Sequence, residues 1–492
     1  MDHGPQSSTT RLADYRYSAK SDTTHLAPPS DIELQQIIVN QNHEPNLTDD
    51  GPAGAREFSL PPVDTGKDAW LLLMGAFVLE MVVWGSAFSV GVLQDYYTST
   101  EPFSHDKSTV SLVGSCCMVR GRHIFGSSIL ADKSHQGVLY LASPITLFFL
   151  QRWPHIFRIN ILLGLGVAVI GTLASSFATK VWHLILTQGI IYPIGASMLY
   201  YPVLIFIDEW FVRRKGLAYG VAWAGSGVAG TVFPLLLRWA LSRFSFKVTM
   251  WAWSVGMIIL VCPFLPFVKP RTPIGVDVAP RPQNLSFKFL RSPAFIIFQL
   301  GSVLQSIGYF APSLYLPTYS RTVVRASDVG ITAPLTSLNA GTVIGFVLVG
   351  YWTDHWHAAN VIFVTTICTV VGVFVIWGLS TSLPPLCVFA VLYGIVAGSA
   401  SATWPGIIKV VRNTDETAPG GLLLGILTAS RGVGSIVCGP ISAALIDTKW
   451  PWAGSPAGMG YGTNFGGLIV FTGVTASFGA LGFAGRKFGL FN

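Results

Sequence analysis

Long apolar runs recur along most of the chain, and they constrain the fold more than any other feature. A run of about 18 or more apolar residues is long enough to cross a bilayer as a helix. Backbone polar groups inside lipid must be paired within their own segment, so these runs predict helices. Twelve spans are predicted, at residues 70–93, 109–150 (interrupted), 159–179, 181–207, 216–240, 247–268, 291–319, 331–352, 359–379, 383–409, 420–445 and 466–485. The expected fold class is an all-α polytopic membrane protein.

The amino-acid composition is typical of a membrane protein. Hydrophobic residues make up 51% of the sequence and charged residues only 11%, whereas soluble domains carry about 25% charged residues. The formal net charge of +7 is not gathered into one basic domain. It therefore fits cytosolic loops better than a nucleic-acid surface. The lipid bilayer is the expected partner, and no nucleic acid is expected.

Two polar stretches divide the chain into parts. Residues 1–66 are polar and lack a sustained period, which predicts a disordered cytosolic tail. Residues 269–290 separate six spans from six, giving two expected six-helix bundles at 67–268 and 291–492. This central loop is rich in Lys and Arg, so the positive-inside rule places it in the cytosol. An even number of spans then places both termini there.

The second span is interrupted by an anomalous insert at residues 119–136, which carries Arg, Lys and His between two apolar pieces. Neither piece, Thr109–Met118 or Gly137–Leu150, is long enough to span alone, but joined they reach about one membrane thickness. The first and last codons of the insert are compatible with intron edges. We interpret the insert as a retained intron in the gene model, with a genuine insertion as the alternative.

The segment Glu209–Gly230 contains a group of basic residues followed by an apolar helix rich in small residues. Arg213, Arg214 and Lys215 suit a cytosolic membrane interface. Gly and Ala residues then recur along the fifth span, which is typical of a helix that packs closely against another helix in lipid. The alternative is an ordinary Gly-rich transmembrane helix.

With these features the chain resembles the major facilitator superfamily and, within it, the monocarboxylate porter family, especially fungal members. The first-helix signature is reduced to Asp68-Ala69-Trp70, and Gly350–Asp354 is similar to a superfamily loop motif. The strongest likeness is to the fifth-helix signature, carried by Trp210, Phe211, Arg213, Arg214, Leu217, Ala218, Gly220, Ala222, Ala224, Gly225 and Gly230. The resemblance implies two six-helix bundles that rock around a shared pocket, and several similar fungal proteins belong to natural-product clusters.

The chain also departs from the members that move lactate-like acids. Those members use a lysine in the first helix, where Phe88 stands here, and an Asp–Arg pair in the eighth. The eighth span, Ile331–Trp352, has no charged residue. Proton-linked lactate transport by the family's known residues is therefore not expected.

Two charged residues lie at membrane depth, where a charge is costly and indicates function. Glu80 lies about 15 Å into the first span at 1.5 Å per residue, and Arg431 is similarly deep in the eleventh. We expect Arg431 to bind an anionic or carbonyl-bearing substrate through its bidentate fork. Glu80 is expected to carry a coupling proton. The alternative for both is a structural hydrogen-bond role.

Polar residues of the seventh and eighth spans are further candidates for the cavity wall. Gln305, Tyr309, Tyr315 and Asn339 could each face the substrate or bond to a neighbouring helix. The numerous aromatic residues would suit a bulky ligand, but contact with lipid is the simpler expectation.

A second group of charges surrounds the predicted cytosolic turn between the fourth and fifth spans. Asp208, Glu209, Arg213 and Arg214 are expected to act in gating, together with Asp354 after the eighth span. Ion pairs that exist in only one of two conformations bias alternating access. The alternative is that these charges only set topology.

Signatures of enzymes, metals and cofactors are missing from the sequence. It has no phosphate-binding loop for ATP and no His/Cys cluster with zinc spacing. The expected function is secondary active export of a small organic molecule, with protons as the suggested coupling ion. Proton-coupled uptake of a monocarboxylate is the alternative, and a non-transporting membrane sensor is a third reading. The plasma membrane is the expected location, with vacuolar or vesicular membranes as alternatives.

Overall fold

A computed structural model describes residues 61–101, 134–271, 286–448 and 450–491, and within them every regular element is helical. We number the helices by membrane span. The first half contains α1 (Lys67–Ser99), α2 (Ser134–Leu141 and Ser143–Arg152), α3 (Phe157–Ser175), α4 (Val181–Leu184, Ile185–Ile191 and Tyr192–Trp210), α5 (Lys215–Arg243) and α6 (Phe246–Val261). The second half contains α7 (Pro293–Tyr309 and Ala311–Thr322), α8 (Asp328–His355), α9 (Ala358–Val371 and Gly372–Trp377), α10 (Leu383–Tyr393, Gly394–Gly398, Ala400–Thr403 and Trp404–Thr414), α11 (Gly420–Asp447) and α12 (Gly466–Ser477 and Leu481–Lys487).

Eleven helices in the described residues are long and apolar enough to cross a membrane. The twelfth, α2, is described only from Ser134 onward. The all-α membrane fold predicted from the sequence is thus confirmed. Three predictions lie wholly or partly outside the described residues: most of the tail at 1–66, most of the insert at 119–136, and the middle of the loop at 269–290.

Several helices are irregular within the described residues, and α9 is π-helical over Gly372–Trp377. The second segment of α4 is a π-helical stretch, Ile185–Ile191, and α7 breaks at Phe310 between its two pieces. In α10, a π-helical turn at Gly394–Gly398 is followed by a 3-10 turn at Ala400–Thr403. Irregular backbone at membrane depth is tolerated where protein or a cavity satisfies its polar groups, and the α7 and α10 breaks both border the cavity described below.

Two pairs of helices join the halves: α5 packs along α8, and α2 packs along α11. The α5–α8 contact depends on glycine. A methyl group at Gly216 would lie 2.5 Å from the carbonyl oxygen of Gly350, and one at Gly227 would lie 2.9 Å from that of Asn339. A methyl group at Gly220 would collide with the Phe346 carbonyl. The close helix packing predicted for the fifth span is confirmed.

Residues 61–66 fall within the predicted disordered tail, but they pack against the start of α5. The Asp64 carboxylate accepts hydrogen bonds from the backbone N–H groups of Val212, Arg213 and Arg214, at 3.0–3.1 Å. Asp64 adopts a left-handed φ of +58°, which Asp tolerates better than most residues. The prediction of disorder therefore extends too far at this point, because a single carboxylate binds three exposed backbone donors.

Candidate functional site

A cavity lies between the two halves near the middle of the bundle. It comprises about 870 Å³ of empty space, including the part open to solvent, and 22 of the described residues line it. Four of the five substrate or coupling candidates from the sequence line this central cavity: Glu80, Tyr309, Asn339 and Arg431. Each half contributes one charged residue to its wall, Glu80 from α1 and Arg431 from α11.

Glu80 is 3% exposed and has no cation beside it in the described part of the chain. Its carboxyl group lies next to the Tyr200 hydroxyl and the Trp84 indole. Its Oε2 atom has no hydrogen-bond partner among the described residues. The Tyr200 hydroxyl in turn accepts a 2.6 Å hydrogen bond from the Trp223 indole nitrogen. Aromatic groups of α1, α4 and α5 therefore surround this carboxyl group.

Arg431 is 7% exposed, and its guanidinium stacks on aromatic rings rather than pairing with a carboxylate. The guanidinium carbon lies 3.9 Å from the centre of the Tyr309 ring and 5.9 Å from the centre of the Trp404 ring. Within the described residues, Arg431 makes no hydrogen bond and no ion pair. Its N–H donors remain available for a ligand, and an unpaired buried cation favours an anionic one.

Asn339 serves two of the roles left open by the sequence. Its side-chain nitrogen donates to the Gly230 carbonyl oxygen at 3.1 Å, which links α8 to α5 across the two halves. The same side chain lines the central cavity. It is therefore both a helix–helix contact and a wall residue.

Gln305 lies elsewhere. It lines a second cavity of about 560 Å³ inside the second half, together with hydroxyl side chains of α7, α9 and α10. Tyr309, Trp404 and Arg431 line both cavities and so form the partition between them. Tyr315 is buried and does not line either of these cavities. The position of a residue along its span could not show which of these side chains line the central cavity, since all of them lie in apolar spans.

Apart from Tyr309, the aromatic residues of the cavity wall were not among the candidates from the sequence. Ten of the 22 lining residues are aromatic, against 12% of the whole chain. They are Trp84, Phe88, Tyr140, Tyr200, Trp223, Tyr309, Phe310, Phe346, Tyr393 and Trp404. Lipid contact is therefore the wrong expectation for this set, although it suits exposed residues such as Trp182 and Trp239.

We call the end of the bundle that carries the α4–α5 turn the inner end, and the sequence places it in the cytosol. Aromatic rings of the two halves meet in the wall of the central cavity. The Trp223 and Trp404 rings meet edge to face, with centroids 5.6 Å apart. A vestibule of about 1340 Å³ lies at the inner end and includes Asp208, Glu209 and Arg412 in its wall.

The five gating candidates all lie at the inner end, but their contacts differ. The Asp208 carboxylate pairs with Lys215 at 2.6 Å, and Glu209 accepts a hydrogen bond from the Arg271 backbone at 3.0 Å. Both contacts stay within the first half. The exposed Arg213 and Arg214 each donate a backbone N–H to Asp64.

Asp354 makes a hydrogen-bonded contact between the two halves. This α8 carboxylate accepts hydrogen bonds from the N–H groups of Gly216 and Leu217 in the first turn of α5. Acceptors and negative charge at a helix N-terminus are favourable because the backbone N–H groups there lack partners within the helix.

No group of three or more His, Cys, Asp or Glu side chains in the described residues is arranged to hold a metal ion. The four cysteines in this part of the chain form no disulfide bond. The geometry therefore offers organic recognition elements: aromatic rings, one guanidinium and one carboxyl group.

Comparison with known proteins also indicates a membrane transporter. Residues 73–418 match the family described as the Major Facilitator Superfamily. The chain is 28% identical over 409 residues to "MFS transporter asaE" of Aspergillus flavus, covering 82% of this chain and 85% of that protein. It is 24% identical over 440 residues to "Aspyridones efflux protein apdF" of Emericella nidulans, covering 87% of this chain and 82% of that one.

A solved structure shares the fold. The human organic anion transporter MFSD10 (TETRAN) superposes with a TM-score of 0.59, covering 84% of this chain and all of that one. Sequence identity is 11%, so this likeness concerns the fold alone.

Proposed function

Because the chain belongs to the Major Facilitator Superfamily, we propose that it exports a small organic molecule, a fungal secondary metabolite, by alternating access. The chain is a membrane transporter rather than an enzyme. Export is supported by relatives such as the protein of Emericella nidulans whose name describes aspyridone efflux. Alternating access requires two halves that rearrange around a shared site, and the central cavity has walls from both.

One observation carries the proposal: Glu80 and Arg431 line the same cavity, neither with an opposite charge beside it in the described chain. Charged groups at membrane depth are expensive and mark substrate or ion pathways. Arg431 binds an anionic or carbonyl group of the substrate through its free N–H donors. Asn339 and Tyr309 complete the wall on the same side.

Glu80 carries the coupling proton in this proposal. A buried carboxyl group is neutral when protonated and costly when ionised, so gaining or losing a proton stabilises the two conformations by different amounts. A ligand shifts a conformational equilibrium only by its differential affinity for the two states. Proton binding at Glu80 meets this condition when the carboxyl is dry in one state and hydrated in the other.

Membership of the monocarboxylate porter family is the finer part of the proposal. It is supported by the fifth-helix signature at Trp210–Gly230. The cavity differs from a lactate site, because Phe88 lines it and the span Ile331–Trp352 carries no charge. Uptake of a small monocarboxylate is therefore the weaker alternative. The plasma membrane is the location that suits export from the cell.

Deletion of the gene in the source organism tests the direction and class of transport. Untargeted mass spectrometry of medium and cells should show at least one organic metabolite falling in the medium and rising inside. Reintroduction of the wild-type gene should reverse this change. Reduced uptake of labelled lactate or acetate, with no change in exported metabolites, would instead establish the monocarboxylate alternative. An unchanged distribution of every metabolite would favour the sensor.

A further inference from the structure

We propose that the substrate is a flat, conjugated or aromatic molecule with one acidic group, and this inference rests on the proposed transport function. The starting observation is that ten of the 22 described residues that line the central cavity are aromatic. A cavity built to hold an aliphatic acid gains little from such a wall. Ring systems, by contrast, interact favourably with aromatic faces and edges beyond simple burial.

Both halves of the chain contribute aromatic rings to the wall of the central cavity. In the first half, Trp84 and Tyr140 lie with ring centroids 4.8 Å apart and their planes tilted by 44°. In the second half, Tyr309 and Tyr393 stack with centroids 6.4 Å apart and planes within 23°. A flat, rigid substrate can contact rings of both halves, and it loses little conformational entropy on binding.

The polar groups of the wall select the charge of the substrate. Ser226 and Thr342 donate their hydroxyl hydrogens to the backbone carbonyls of Trp223 and Leu338, at 2.7 and 2.9 Å. Thr428 does the same to Leu424 at 2.7 Å. These donors are occupied, whereas Arg431 has no hydrogen bond to a described residue. An acidic group is therefore drawn to the guanidinium.

An aromatic wall with a carboxyl group also suits organic cations, and this alternative must be excluded by experiment. Arg431 opposes it, because a second cation in the same cavity would be repelled at short range. Glu80 can be neutralised by a proton, whereas the guanidinium keeps its charge. The permanent charge in the cavity is thus positive.

Binding of four probes to the purified full-length transporter tests the inference without assuming direction or coupling. The probes are anthracene-9-carboxylate, its neutral analogue anthracene-9-methanol, its cationic analogue 9-anthracenylmethylammonium, and the saturated perhydroanthracene-9-carboxylate. Equilibrium dialysis in detergent gives the four affinities. The aromatic acid should bind about tenfold tighter than each of the others, which is the order expected from one stacking contact or one charge-assisted hydrogen bond.

Two variants test whether side chains of the cavity wall cause the difference in probe affinity. Arg431→Gln should abolish the difference between the acid and the alcohol, while Tyr140→Leu should reduce the difference between the aromatic and the saturated acid. Trp239→Leu changes an aromatic residue that is 55% exposed on the outer surface, and it should alter neither. Each variant is compared only if it elutes as a single species like the wild type.

Equal binding of the two acids, or tighter binding of the ammonium compound, would overturn the inference. So would a preference that survives both wall substitutions. These outcomes are distinct from failure of the proposed function. A protein that exports a metabolite but does not discriminate between the probes would refute only the substrate class. A protein that discriminates but whose deletion moves no metabolite would refute only export.

Discussion

The Asp354 carboxylate of α8 accepts a 2.6 Å hydrogen bond from the Gly216 backbone N–H at the first turn of α5. Its second oxygen accepts from the next N–H, that of Leu217, at 2.8 Å. The two helices belong to different halves of the chain. A carboxylate of one half thus caps a helix of the other at the inner end, and this contact must break or stretch when the halves separate there.

Substitution Asp354→Asn should favour opening at the inner end. It removes the negative charge and one of the two acceptors, and loss of a helix cap costs about 0.5–2 kcal/mol. The equilibrium between the two conformations should shift roughly 2- to 30-fold. In a cysteine-free protein with a single cysteine at Ser226, the rate of labelling by an impermeant maleimide applied to the inner side should rise accordingly.

Asp68→Asn is the matched control for this change. Asp68 also lies at the inner end, but its carboxylate pairs at 3.0 Å with Lys269 at the start of the central loop and not with a helix of the second half, and both side chains are partly exposed. Its removal should leave the labelling rate near that of the wild type. Equal labelling in the Asp354 and Asp68 variants would show that the cap does not hold the halves together.

Gly220→Ala should weaken the packing of α5 on α8. The added methyl group would meet the backbone carbonyl of Phe346, which cannot move independently of its helix. Overpacking of this kind costs about 1–3 kcal/mol, so the melting temperature of the purified protein should fall. Gly256→Ala in α6 is the control, because nothing lies within 4 Å of its added methyl group. A smaller fall in Gly220→Ala than in Gly256→Ala would contradict the assigned contact.

Glu80→Gln should separate transport from the proton gradient. The amide has the shape of the protonated carboxyl group but cannot release a proton. Substrate exchange across vesicle membranes should therefore persist while acceleration by an imposed pH difference is lost. Asp95→Asn changes an exposed acidic residue on the same helix and should retain the acceleration. A pH response equal to that of the wild type in Glu80→Gln would assign coupling to another group.

The number of spans and their close packing could be predicted from the sequence because both depend on local patterns. Span length follows from membrane thickness, and small residues such as Gly220 permit close approach of helices. The depth of Glu80 and Arg431 could also be counted along their helices. Each of these features is set within one segment of the chain, so no knowledge of neighbouring helices is needed.

The wall of the cavity could not be predicted in the same way. A helix inside a membrane protein is apolar all round, so hydrophobicity does not distinguish a ring that faces the cavity from one that faces lipid. Trp223 faces inward and Trp239 outward, although both lie on α5. Gln305 and Tyr309 are one turn apart, yet only Tyr309 reaches the central cavity. These differences depend on where other helices pack.

Arg431→Gln should abolish or greatly reduce transport while the protein still reaches the membrane. The variant keeps a polar side chain of intermediate length but loses the positive charge and its stack on Tyr309. A hydrogen bond to a charged group contributes about 1.5–3 kcal/mol, so substrate affinity should fall roughly 10- to 150-fold.

Arg431→Lys keeps the charge without the planar fork, so its transport rate should lie between those of the wild type and Arg431→Gln. Lys409→Gln, at an exposed position on α10, removes an equal charge and should transport normally. Surface expression, measured by tag labelling, normalises every rate. Transport by Arg431→Gln at the rate of the Lys409 control would exclude a binding role for the guanidinium and leave it a packing contact with Tyr309 and Trp404.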